Sequence, residues 1–195
     1  MSEGHEGTRQ GDIRVVIDDQ GVITDIGGGW AQAAEEGGAA DALAVDRVIG
    51  RPLARFVGSD AARMYYNAVF KLARLRRQSL TREYRCDSPT HKRFMEMTVT
   101  PLADGGIEMV HQLLHEEPFE NAFIPMPVTR PDRRQGTAMR CSICNRIRLA
   151  GTQEWVEPGR LVEQQARTLP VIHTVCADCK QQDWFGVRRG VGMRD

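Results

Sequence analysis

Two C-x2-C pairs, Cys141 with Cys144 in "RCSICNRIR" and Cys176 with Cys179 in "VIHTVCADCK", stand 31 residues apart in a chain that has one other cysteine, Cys86. Each pair forms a tight turn whose two sulfurs converge while backbone N–H groups turn toward them. Two such turns supply four thiolates to one tetrahedral ion, with metal–sulfur distances of about 2.3 Å. Zinc suits this donor set, and Arg140, Arg146, Arg148 and Lys180 stand close enough in sequence to offset the negative charge the thiolates leave. A tail of about 45 residues buries too little apolar surface to fold unaided. Structural zinc contributes on the order of 10 kcal/mol to such a module. The metal is therefore expected to be scaffold, with Trp155, Val156, Leu161, Val162 and Ile172 packed around it. Pro158, Gly159 and Pro170 confine any helix between the pairs to about residues 160–168.

Other uses of these cysteines fit less well. Two disulfides belong to an oxidising compartment, and one cysteine would be left over. A redox-active C-x-x-C sits at a helix start after a strand, a setting that neither pair is expected to have. Haem attachment needs a histidine after the second cysteine, where Asn145 and Lys180 stand. Four thiolates also hold a single iron, so the ligand type leaves zinc and iron open. His173, three residues before Cys176, is either a substitute ligand or a packing residue near the site.

Upstream, a boundary is readable. "EEPFENAFIPMPVTRPDRRQG" carries Pro118, Pro125, Pro127 and Pro131, each of which removes a backbone donor and biases its predecessor toward extended conformations. Residues 116–139 are read as a Pro/Arg-rich linker. Its Phe119, Phe123, Ile124 and Met126 are apolar enough for part of it to lie against a domain surface. The remaining boundaries are a flexible start over 1–11, a domain over 12–115, the four-cysteine module over 140–182 and a tail over 183–195.

Within 12–115, "DIRVVIDDQGVITDIGG" alternates as two strands joined at Asp19-Gln20-Gly21, with Ile13, Val15 and Ile17 on one face. Residues 30–58, broken by Gly37, Gly38, Gly50 and Gly58, suit short helical turns. "SDAARMYYNAVFKLARLRRQS" reads as the main helix, capped by Ser59 or Asp60. Its stripe runs through Tyr65, Val69, Leu72 and Arg76, widened by Ala68 and Leu75. "LTREYRCDS", "RFMEMTVTP" and "GIEMVHQLL" alternate as three antiparallel strands, the last two joined at "ADGG". Strands in hairpins around a run of helices indicate an α+β domain, an antiparallel sheet with its helices on one face.

This order, with "VVIDDQGVITDI" opening, "VIGRPLARFV" before the helix and "YRCDSPTHKRFMEMTVTPLADGGIEMVHQ" closing, resembles a bacterial PAS domain over roughly residues 12–115. "CSICNRIR", Trp155 and "HTVCADC" are similar to a C-x2-C-x2-I-R, tryptophan, H-x2-C-x2-C pattern found behind PAS and receiver domains in bacterial signalling proteins. The resemblance implies a PAS-like sheet followed by a metal-stabilised module. It also implies a sensory role through a protein partner or a PAS homodimer, with room for an uncharged small ligand between sheet and helices. The helix from Ala61 to Arg77 lacks the histidine of haem-binding relatives, and "RCDSP" is not the flavin-adduct motif of light-sensing ones. Tyr84 and Cys86, on one strand face, are the candidate ligand-contacting residues, Cys86 being expected to point inward as a buried thiol or sensor group.

No phosphate loop, nucleophile elbow or H-E-x-x-H helix is present, so no enzyme is expected. His111 and His115 are read as solvated groups at the end of the last strand, and Met95, Met97 and Met109 as sheet packing. Lys+Arg and Asp+Glu are equal at 26 each, which offers nucleic acid no overall attraction. The arginines at 74, 76 and 77 and at 130, 133 and 134 have no interleaved aromatic residues. The region after residue 125 is nevertheless basic and the region before it acidic, so a DNA-associated regulator using the zinc module is the alternative. With no export signal or membrane-length apolar run, the expected location is the cytoplasm.

Overall fold

A computed structural model describes residues 11–88, 90–119, 124–127, 138–162 and 168–181. The expected start over 1–11, apart from Gly11, the tail over 183–195 and the linker arginines 130, 133 and 134 lie outside the described residues, as does the side chain of Val162.

Five strands, β1 (Ile13–Ile17), β2 (Ile23–Gly28), β3 (Leu80–Arg85), β4 (His91–Pro101) and β5 (Ile107–Pro118), form one antiparallel sheet in the order β2-β1-β5-β4-β3. The β1–β2 turn is held by Asp18, whose Oδ1 accepts from the backbone N–H groups of Gln20 and Val22, while Gly21 supplies φ of 83°. Short helices α1 (Trp30–Glu36) and α2 (Val45–Val48) and a 3-10 turn at Leu53–Arg55 lead to α3 (Asp60–Arg76). One face of the sheet packs on these helices. Val15, Ile17 and Ile23, with Met97, Val99, Ile107 and Met109, meet Val48, Tyr65, Val69, Phe70 and Ala73. The opposite face is polar, with Arg14 bridging Asp25 and Glu108.

Ser59, not Asp60, caps α3: its Oγ accepts from the N–H of Ala62. Arg77 closes the helix in the left-handed region at φ 53°. The buried stripe differs from the expected one. It follows Tyr65, Val69, Phe70 and Ala73, while Ala68, Leu75 and Arg76 are exposed. Rotation toward Phe70 places a larger apolar side chain in the core than rotation toward Ala68 would.

A second sheet, β6 (Ile124–Pro127), β9 (Thr168–Thr174), β7 (Ala138–Cys141) and β8 (Ile147–Arg148), runs in the order β6-β9-β7-β8. β9 pairs in parallel with both β6 and β7. Part of the expected linker therefore belongs to this sheet, and β5 reaches into its start at Pro118. The helix between the cysteine pairs, α4, spans Pro158–Val162, and by Thr168 the chain is strand. A last helix, α5 (Ala177–Gln181), follows β9. Around β7 and β9, Ala138, Ile147 and Val171 are buried and packed by Leu149, Leu161 and Leu169. No described helix is long and apolar enough to cross a membrane.

Candidate metal centre

Cys141, Cys144, Cys176 and Cys179 come together, with all four sulfurs within 4.8 Å of one another. β7 ends on Cys141, and the chain turns back through residues 142–146. The N–H of Asn145 donates to the Cys141 carbonyl (3.1 Å), and that of Cys141 donates to the Arg146 carbonyl (2.9 Å). The turn needs a left-handed residue at 145, and asparagine, at φ 60°, adopts that conformation more readily than most. The second pair is set by β9 and α5, and Lys180 N–H donates to the Cys176 carbonyl (3.0 Å).

A tetrahedron with arms of about 2.3 Å has edges of about 3.8 Å. The Cys144 and Cys176 sulfurs are 3.8 Å apart. Backbone N–H groups aim at the sulfurs as the turns require: Ile143 and Cys176 donate to Cys141 Sγ at 3.5 and 3.4 Å, and Cys179 donates to Cys176 Sγ at 3.4 Å. The hydrogen bond from Cys144, with the backbone N–H groups of Cys176, Cys144 and Ile143, holds the Cys141 thiol well below its ordinary range. The same hydrogen bond, with burial, pushes Cys144 up, and burial with the charge of Cys141 pushes Cys179 up to about 12. Four sulfurs packed this closely resist ionising together unless a cation shares the space. Donor set, spacing and electrostatics all fit one thiophilic metal ion, with Ile143, Trp155 and Val175 packed around it.

All five cysteines are free thiols. One expectation is corrected. Cys176-x-x-Cys179 does lie at a helix start after a strand, the setting of a redox pair. Its sulfurs nevertheless face the other pair. His173 lies on β9 opposite Arg140, outside the sulfur cluster, and burial lowers its pKa, with Arg140 adding to the effect. Of the residues expected to offset the thiolates, Arg140 feels the charge of Cys141 directly, whereas two others are engaged elsewhere. Arg146 pairs with Asp178 (3.3 Å) and Glu157 (3.6 Å), and Arg148 lies 5.5 Å over the Trp155 ring.

The joint between the halves was missed from sequence. β3 is an edge strand of the first sheet, and its last residue, Arg85, is held by the Cys141–Cys144 turn. The N–H of Arg85 donates to the Ile143 carbonyl (2.8 Å), and Asn145 Nδ2 donates to the Arg85 carbonyl (3.1 Å). The side chain of Arg85, 8 % exposed, reaches Asp87 and Glu157, both at 2.7 Å. Burial alone lowers the Arg85 pKa, but the hydrogen bonds to the two carboxylates outweigh it and leave it raised. Adjacency of Arg85 and Asp87 in "RCDSP" was the available signal; Glu157 lies 72 residues away.

Tyr84 is half-buried, and its hydroxyl pairs with His111 Nδ1 at 2.9 Å. His111 is not the solvated group expected: burial among core side chains lowers its pKa to about 4. It is therefore a neutral imidazole, whose tautomer sets which partner of the Tyr84–His111 bond donates. His115 is exposed, stacked on Phe94 with ring centres 4.2 Å apart. Cys86 falls one residue past the end of β3 and is exposed, yet with Tyr84 it lines the space between α3, β3 and the cysteine module, and burial raises its thiol pKa. No family model, curated protein or solved structure matches the chain.

Proposed function

We propose that this chain is a sensory adaptor of the signalling type: a PAS-like domain perceives a ligand or partner, and a zinc-stabilised module relays its state through protein contacts. The observation that carries this reading is the docking of the Cys141–Cys144 turn on edge strand β3 through Arg85, Asn145 and Glu157. Any change in the sheet at β3 is thereby felt at the metal module. The element order that carried the PAS resemblance, two strands, short helices, one long helix and three strands, is kept in the fold and supports the same reading. Structural zinc is preferred because four thiolate donors leave an ion no open position for a substrate. The DNA alternative has less support, since Arg146 is paired with carboxylates and Arg148 is stacked on Trp155 rather than presented to phosphates.

The test is transmission between the halves. Chelation of the full chain should speed amide exchange in residues 138–148 and also at Arg85, whose N–H the module accepts. Exchange at Arg85 that stays at its metal-loaded rate while the module loosens would mean that the halves do not communicate.

A further inference from the structure

Of the four clustered sulfurs, one is placed differently from the rest. Cys141, Cys176 and Cys179 are 0, 1 and 4 % exposed, whereas Cys144 is only half-buried. Cys144 borders an open groove of about 660 Å3 at the joint between the halves, with Tyr84 and Phe94 of the first sheet on one side and Ile143 and Cys179 of the module on the other. A small solute in this groove meets the Cys144 sulfur more readily than the three buried ones. The Cys144 sulfur also lies 3.8 Å from that of Cys176, on the other turn. A disulfide needs about 2.0 Å, so an approach of about 1.8 Å would join the two turns. Cys144 stands, moreover, between the two residues that hold Arg85. The Ile143 carbonyl accepts from the Arg85 N–H, and Asn145 Nδ2 donates to the Arg85 carbonyl. A displacement at Cys144 therefore acts on both bonds of the joint.

We propose that Cys144 is the site at which a hydroperoxide oxidises the metal centre, closing a Cys144–Cys176 disulfide that expels the ion and loosens the joint at Arg85. A bound ion keeps the four sulfurs as thiolates, the form that attacks peroxide. The Cys144 thiolate attacks one oxygen of hydrogen peroxide, the O–O bond breaks, and the departing hydroxide takes a proton from solvent. The Cys176 thiolate then attacks the sulfur of the resulting sulfenic acid, forming the S–S bond and expelling a second hydroxide, which is protonated likewise. Two thiolates lose two electrons in all, and one peroxide is reduced to two waters. The ion is left with two of its four donors, and the order it gave the module is lost with it. The bridge rests on the metal centre alone. Its effect at Arg85 deepens the sensory reading above, making an oxidant the stimulus and the module its receiver.

The test uses the full metal-loaded chain carrying Cys86→Ser, which removes the exposed thiol outside the cluster. Hydrogen peroxide is added, released metal is read with a chromophoric chelator, and the cysteines left free are blocked with N-ethylmaleimide before peptide mass mapping. One ion should be lost for each bridge formed, with Cys144 joined to Cys176 and with Cys141 and Cys179 blocked. Dithiothreitol with fresh metal should restore the loaded chain. Brief exposure of the unoxidised loaded chain to N-ethylmaleimide should label Cys144 first. Metal retained in excess peroxide, a first bridge within either C-x2-C pair, or first labelling at another cysteine would overturn the proposal. A Cys144–Cys176 bridge that leaves amide exchange at Arg85 unchanged would uphold the chemistry and count against the sensory reading instead.

Discussion

Arg85 and Asp87 form an ion pair whose side chains are 8 % and 4 % exposed, and the cost of breaking it falls on whichever charge is left behind. Removing one partner of a buried pair costs about 3–5 kcal/mol. Arg85→Met should therefore lower the urea midpoint by an amount corresponding to about 3 kcal/mol, with an unchanged m value. Glu157, 37 % exposed, is screened by solvent, and Glu157→Gln should cost under about 1 kcal/mol. Equal losses in the two variants would show that Asp87 is not the group left stranded. His111 makes a second prediction at this scale. Its pKa is lowered to about 4 in the fold, against about 6.5 in the unfolded chain. Between these values the unfolded chain binds the extra proton. The stability gained from a neutral His111 is thus whole above about pH 6.5 and is lost as pH falls toward 4, by up to about 1.4 kcal/mol per pH unit. His111→Gln should flatten that part of the pH–stability profile relative to the parent chain, and superimposable profiles would contradict the assignment.

At the scale of elements, α3 depends on Ser59. Its hydroxyl satisfies the Ala62 N–H, and Ser59→Ala should cost about 1 kcal/mol in chemical denaturation, with Ser59→Asp recovering most of it. A Ser59→Ala chain as stable as the parent would place the cap elsewhere. This helix also marks how far the sequence could be read. Its existence and ends are local matters of capping and spacing, and both were legible. Which face it buries depends on what the sheet offers, and the choice of Phe70 over Leu75 was not. The same division holds for the strands. The β1–β2 and β4–β5 hairpins announce themselves through alternation and turn residues. The parallel pairing of β9 with β6 and β7 joins segments dozens of residues apart, with proline in both Ile124–Pro127 and Thr168–Thr174, and no local pattern encodes it. Cys86 stands one residue beyond the strand whose alternation placed it, so its exposure was not legible, although it does line the space beside Tyr84. The four metal-site cysteines were legible because a C-x2-C turn needs little beyond itself to aim its sulfurs. Arg85, Asn145 and Glu157 were not, since a joint is written in two distant segments and recognised only when they meet.

On the scale of the whole molecule, the C-terminal end of edge strand β3, at Arg85, is paired with the turn that carries the candidate metal ligands, so order in the module and protection of that end are linked. Edge strands left open invite pairing with other chains. Chelation is therefore expected to do more than loosen the last third of the molecule: metal-stripped protein should self-associate in sedimentation experiments at concentrations where the loaded chain does not. Stripped protein that stays at the same mass would place the protection of β3 elsewhere. The claim beneath these expectations is that four sulfurs share one ion. X-ray absorption at the metal edge of the purified full chain tests it most directly. The predicted result is one metal per chain with four sulfur neighbours at about 2.3 Å. A first shell containing nitrogen or oxygen, or protein that carries no metal and has its cysteines joined in bridged pairs, would contradict it.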